Sequence, residues 1–226
     1  MQRNVLLPLL VAATLTIAPA GGAQTVFVAS EAAFGTPASY LHWSDIGPDN
    51  TLMTSPFTIG ATGSTNVAML TLQAPGLSPS RGTNSVSWGG NFLPFEAVLY
   101  NSGGGEISFA FTNPISQFGT QVMTNQFGAF VARISAYDAA NTLLGTFLAN
   151  GVANANNDDS ALFIGVSSAT QISRVTVFAG NGDFAISDVS LDQVTSAPEP
   201  ASIALFATGL GVIAAARRRR ATAPPC

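Results

Sequence analysis

Phe130-Val131-Ala132-Arg133-Ile134-Ser135-Ala136-Tyr137 is followed by Asp138-Ala139-Ala140-Asn141 and then by Leu143 to Leu148, and the reading of this stretch decides the fold. Successive side chains of a strand point to opposite faces, so Ala132, Ile134 and Ala136 share one side while Arg133 and Ser135 share the other. The first set belongs in a core and the second toward solvent. Asp and Asn in the four-residue break bond their own backbone and favour a turn, which makes the stretch a β-hairpin.

The same signature recurs on both sides. Short β-branched or aromatic runs between turn clusters predict strands over Thr25 to Val28, Val67 to Leu72, Ala97 to Tyr100 and Ile107 to Phe111 upstream. Downstream they predict Leu162 to Val166, Ser173 to Phe178 and Phe184 to Val194. Asn101-Ser102-Gly103-Gly104-Gly105 is expected to close a hairpin between two of these strands. The segment Gly60 to Gly90, dense in glycine, and the polar segment Asn150 to Ser160 read mainly as loops. Around nine strands with short connections predict an all-β fold, a two-sheet antiparallel sandwich of jelly-roll type. In the last strand Phe184 and Ile186 have even parity but Val189 and Leu191 odd parity, which a regular strand cannot bury on one face. A β-bulge near Ser187 and Asp188 restores the alignment.

Outside this domain lie two segments of different chemistry. Arg3, the apolar run Val5 to Ile17 and the small residues of Ala18-Pro19-Ala20 or Gly21-Gly22-Ala23 form a signal peptide over 1–23, so the mature chain begins at Gly21 or Gln24, with Gln24 preferred. At the other end, residues 197–226 hold Pro198-Glu199-Pro200, an uncharged run from Ala201 to Ala216, and Arg217, Arg218, Arg219 and Arg220. A helix over the uncharged run reaches about 24 Å, just enough to span a bilayer. Arginines after such a run are costly to translocate, which leaves the C-terminus inside and everything before Pro198 outside. Pro198 and Pro200 keep their segment extended at the membrane surface.

What remains, 24–196, is about 175 residues, one domain's worth and enough to bury roughly 70% of the unfolded chain's surface. Between Gln24 and Ala197, eleven carboxylates against three arginines leave a net charge of −8, which argues against nucleic acid as a partner. The chain has no lysine, one histidine, His42, and one cysteine, Cys226. Phosphate-loop and Schiff-base chemistry, multi-histidine metal sites and an intrachain disulfide are thereby excluded.

The order Pro-Glu-Pro, apolar run, arginine block resembles the PEP-CTERM sorting signal of Gram-negative bacteria, which is read by exosortase. The resemblance covers about Ala197 to Arg220 and departs from the usual pattern in the tail Ala221 to Cys226. It implies export by signal peptidase and the secretion machinery, transient anchoring in the inner membrane, cutting near Pro198-Glu199-Pro200, and a place at the cell surface or in an exopolysaccharide matrix. A second resemblance spans most of the mature chain. Trp43-Ser44-Asp45-Ile46-Gly47-Pro48, Trp88-Gly89-Gly90-Asn91-Phe92, Pro114-Ile115-Ser116-Gln117-Phe118-Gly119, Ala136-Tyr137-Asp138, Phe163-Ile164-Gly165-Val166 and Phe184-Ala185-Ile186-Ser187-Asp188, in that order, are similar to the β-sandwich ectodomain common among PEP-CTERM proteins. That group implies a location and an architecture without a reaction.

Three kinds of site are open. Phe184-Ala185-Ile186-Ser187-Asp188 is similar to a motif by which sugar-binding sandwiches hold a structural calcium, which makes Asp183 and Asp188 candidate metal ligands; solvated strand-end carboxylates are the plainer reading. Aromatic rings stack on pyranoses, which makes Trp43, Trp88 and Tyr137 candidates for carbohydrate binding, with Tyr40 and Tyr100 beside them; for each, a place in the core is the plainer reading. Glycoside hydrolysis needs two carboxyl groups about 5 to 10 Å apart across one cleft. Glu31, Glu96 and Glu106 are the glutamates available to it, and nothing in the sequence pairs them. The leading expectation is a surface or matrix protein, structural or carbohydrate-binding, without catalysis. The alternative is a carbohydrate-active enzyme, marked by acids that converge in a cleft; a third reading leaves the chain uncleaved and anchored.

Overall fold

In the computed structural model, which describes residues 24–72, 79–180 and 182–193, the chain is almost entirely β. The signal peptide over 1–23 and the sorting residues Pro198, Glu199, Pro200 and Arg217 to Arg220 lie outside the described residues. The strands are β1 (Thr25–Val28), β2 (Ser39–Leu41), β3 (Phe57–Gly60), β4 (Val67–Leu72), β5 (Ser80–Thr83) and β6 (Ala97–Asn101). They continue as β7 (Ile107–Thr124), β8 (Gly128–Tyr137), β9 (Leu143–Ala153), β10 (Leu162–Ala179), β11 (Phe184–Ile186) and β12 (Val189–Gln193). One turn of helix, α1 (Glu31–Phe34), follows β1, capped by the Ser30 side chain, which accepts from the Ala33 amide; a 3₁₀ turn over Trp43–Ile46 follows β2.

The expected hairpin is there: β8 and β9 pair antiparallel through the turn after Tyr137, where Asn141 takes a positive φ of 63°. Ala132, Ile134 and Ala136 are fully buried, as their parity requires. Ser135 is buried as well, because its hydroxyl meets that of Thr146 on β9 at 2.8 Å.

All twelve strands join one antiparallel network, yet it forms two layers, because β7 and β10, eighteen residues each, belong to both. The first half of β7 lies between β4 and the second half of β10, which continues to β8 and β9. The second half of β7 lies between the first half of β10, bordered by β1, and the strands β11 and β12. At the corner the register slips twice: β10 extrudes Ser168 to Gln171, and β7 extrudes Phe111 to Pro114. Proline donates no ladder bond and suits such a bend. The bend is sharp. Phe109 and Phe118, nine positions apart on β7, would stand roughly 30 Å apart along a straight strand, but their ring centroids are 5.1 Å apart, edge to face. One strand thus lines both walls of the core, as sheets that share bent strands do. The extruded backbone is stapled by Asn66, which is 1% exposed; its amide donates to the Asn113 carbonyl at 2.8 Å and its oxygen accepts from the Asn113 amide at 3.1 Å.

Four expectations change. The two strands predicted over Leu162 to Val166 and Ser173 to Phe178 are one continuous β10. The strand predicted over Ile107 to Phe111 runs on to Thr124. Asn101 to Gly105 is no hairpin loop, since β11 lies between β6 and β7 and pairs with both. The loop carries the chain past β11, with Gly103, Gly104 and Gly105 all at positive φ, and the Asp183 carboxylate accepts from the Gly103 amide. The last strand is interrupted: β11 and β12 are separate, and between the Ile186–Val122 and Ser190–Gly119 pairs they hold one residue more than β7 does. That extra residue is the bulge expected at Ser187 and Asp188.

Candidate functional site

The bulge turns Asp188 away from the core and into a cleft of about 230 Å³ at the end of β2 and β12. Val189 and Leu191 point inward and are fully buried, so Asp188 and Ser190 point to the other face. Alternation on β2 does the same for its partner: Leu41 and Trp43 are buried, while Tyr40 and His42 face the cleft. His42 Nδ1 lies 2.6 Å from Asp188 Oδ2, and the Trp43 amide donates to Asp188 Oδ1 at 2.9 Å. The imidazole stacks on Tyr40, with centroids 5.4 Å apart. The single histidine is therefore fixed in position and tied to a carboxylate 146 residues away in sequence.

Three more carboxylates line the same cleft. Glu31 comes from the first turn of α1, Glu96 from the segment before β6, and Asp159 from the loop after β9. That loop is pinned from below by two fully buried side chains. Asn84 donates to Asn157 Oδ1 at 3.0 Å, and Asn91 accepts from the Asn154 amide at 2.7 Å. Gln121, on β7, donates to Asp159 Oδ1 at 3.0 Å, while its side-chain carbonyl oxygen is buried with no partner among the described residues.

Burial pushes the Glu96 carboxyl up from its ordinary 4.5 to about 7, with the neighbouring Asp159, Asp188 and Glu31 adding to the rise against a hydrogen bond from the Leu93 amide. The folded domain therefore holds a proton at Glu96 that the unfolded chain releases near 4.5. Between pH 4.5 and 7 the native state binds more protons, so this group's contribution to stability is present at acid pH and is lost as pH rises to about 7. Glu96→Gln is expected to remove that slope and to be the more stable form above pH 7, by on the order of 1 kcal/mol once solvent screening of a half-buried group is allowed for. Urea denaturation of both proteins across this range checks it; parallel curves would disprove it.

Of the candidate metal and sugar ligands singled out from sequence, Asp188 and Tyr40 line this cleft and the others are placed elsewhere. Trp43 is fully buried and Trp88 is 7% exposed, so neither offers a ring face to a sugar. The Trp43 indole N–H donates to the Ser187 carbonyl at 2.6 Å, and Trp88 stacks on Tyr100. These are core aromatics, the reading left open for them. Tyr137 is partly exposed, with the Arg174 guanidinium 3.5 Å from its ring centre covering one face. Asp183 and Asp188 do not meet: Asp183 borders a second cleft, of about 380 Å³, and is engaged with the Gly103 amide. Among the described residues no group of three His, Cys, Asp or Glu side chains is placed to hold a metal ion. The second cleft is larger but chemically plain, with Phe127, Val131 and Leu148 on its walls and its Arg133 paired to Glu106.

Of the three glutamates weighed for hydrolysis, the fold brings Glu31 and Glu96 together and leaves Glu106 outside. Asp159, Gln121 and Ser190 had no sequence signal, since each is ordinary in its local setting. The pairing of Asp188 with His42 carried one faint signal, the broken parity of the last strand.

Residues 196–220 match the family described as PEP-CTERM protein-sorting motif. No curated protein matches the sequence. Among solved structures, a DUF4465 family protein from Bacteroides caccae ATCC 43185 is 10% identical, with a TM-score of 0.37, over 75% of this chain and 100% of that one. CsCBM6-3 from Clostridium stercorarium, solved with cellobiose, is 12% identical, with a TM-score of 0.22, over 76% and 98%. The CBM22-1-GH10 modules of Clostridium thermocellum Xyn10B, solved with xylohexaose, are 14% identical, with a TM-score of 0.25, over 76% and 29%. Likeness this slight carries no argument about ligand or chemistry.

Proposed function

From the match of residues 196–220 to the PEP-CTERM protein-sorting motif, we propose an exported protein of the cell surface or exopolysaccharide matrix of a Gram-negative bacterium. The signal peptide over 1–23 is removed on export, the apolar segment after Pro200 holds the chain in the inner membrane, and exosortase cuts near Pro198-Glu199-Pro200. The domain over 24–196 then remains outside as a carbohydrate-binding module without catalysis. The motif match is the observation that carries the address. Replacing Pro198, Glu199 and Pro200 together by alanine is expected to abolish processing, so that intact-mass analysis finds the segment through Cys226 retained, as it would in cells lacking the enzyme. A variant cut as efficiently as the natural protein overturns the address.

The cleft of Asp188, His42 and Glu96, in place of the buried tryptophans, is the binding site in this reading. It is the concave place where hydrogen-bonding groups converge beside exposed apolar surface at Leu93. One observation favours a second reading, hydrolysis of matrix polysaccharide: acids converge there, and Glu96 stays protonated to about pH 7 as a general acid must. The release of new reducing ends from matrix polysaccharide, abolished by Glu96→Gln, would establish the enzyme; no release at any pH from 5 to 8 leaves the binding module.

A further inference from the structure

The cleft is one-sided in charge. Each of the three arginines among the described residues is engaged elsewhere: Arg81 with Asp49, Arg133 with Glu106, and Arg174 with Asn141 and the Tyr137 ring. Glu31, Glu96, Asp159 and Asp188 therefore line the cleft with no cationic side chain among the described residues beside them except the His42 imidazole. An acidic cluster alone marks nothing, but a second feature points to a ligand. Ser190 is 7% exposed and lies between Tyr40 and Gly119 in the sheet, where it lines the floor of the cleft. Its hydroxyl has no hydrogen-bond partner among the described residues.

The groups that line the cleft are mostly acceptors: carboxylate oxygens, and a hydroxyl that can act either way. An acceptor-rich, negatively charged cleft selects a ligand rich in donors and positively charged, and an ammonium group offers three donors and no acceptor. Among the described residues no three of these carboxylates gather tightly enough to hold a small inorganic cation. A larger organic cation reaches several of them at once, with Phe163 and the exposed Leu93 beside its ring. We infer that this cleft binds a cationic amino sugar, a hydroxyl-bearing ring with a free ammonium group, presented along a polysaccharide chain. The inference rests on the reading of the cleft as the carbohydrate site and narrows its substrate class.

Calorimetry of the mature exported protein with three hexasaccharides separates the possibilities: one of glucosamine, one of N-acetylglucosamine and one of glucose. The glucosamine hexamer is expected to bind at least 10-fold more tightly than the other two, and to weaken several-fold between 50 and 300 mM salt, since partly exposed charges are screened. Asp159→Asn and Ser190→Val are each expected to weaken it about 5-fold, whereas Asp138→Asn, in the β8–β9 turn, leaves it unchanged. Circular dichroism checks that each variant is folded. Equal binding of all three hexamers, or preference for a neutral one, overturns the amino-sugar inference and leaves the carbohydrate reading standing. Binding of none overturns both. Glucosamine binding that ignores Asp159→Asn and Ser190→Val places the ligand elsewhere and overturns the inference as well.

Discussion

Trp43→Ala is expected to lower the stability of the domain by about 3–5 kcal/mol, the usual cost of deleting a large aromatic from a packed core. At this chain length that corresponds to a fall in Tm of about 10 °C. The side chain is fully buried, and its indole N–H donates to the Ser187 carbonyl inside the bulge. The substitution therefore removes both packing and a hydrogen bond. Trp43→Phe keeps most of the volume and loses the donor, while the Ser187 carbonyl retains its bond from the Thr120 hydroxyl at 2.9 Å. Its cost is expected at about 1–2 kcal/mol. Urea unfolding of the three proteins reads both values; a loss below 1 kcal/mol in Trp43→Ala would mean that the indole lies at the surface after all, as a sugar platform would.

Phe118→Ala is the second large effect, again about 3–5 kcal/mol. The ring is fully buried and meets Phe109 edge to face and Phe111 at 6.3 Å, all three on the same strand. A double-mutant cycle with Phe109→Ala is expected to give a coupling of about 1 kcal/mol, as aromatic pairs in contact do. Residues nine apart on a straight strand would show none, so additive effects would refute the bend at Phe111 to Pro114 that folds β7 over the core.

Strand by strand, much of this architecture is written locally. Thr25–Val28 and Val67–Leu72 form with the bounds expected of them. The parity of Ala132, Ile134 and Ala136 assigns the inner face of β8, and the clash of parity between Ile186 and Val189 foretells the bulge. Shorter or polar segments escape this logic. Ser39–Leu41 and Ser80–Thr83 carry too little hydrophobic alternation to stand out, and become strands because β12 and β6 offer them an edge.

The cleft is harder to read still. Asp188 looks like any strand-end acid until a bulge aims it at His42, and Glu96 has no unusual neighbour within ten residues. Its shifted pKa arises first from burial, to which acids supplied by the loop after β9, the bulge after β11 and α1 add.

The sequence by itself determined the β character of the domain, the inward face of its clearest strands and the sorting motif over residues 196–220. Each of these is carried by neighbouring residues: alternation every second position, or an apolar run beside fixed charge. Tertiary structure alone decided that β11 enters between β6 and β7, that the two tryptophans go inward, and that four acids and the histidine share one cleft. Periodicity tells a side chain which face it occupies, but not which distant strand will lie beside it. That choice belongs to the packing of the whole chain.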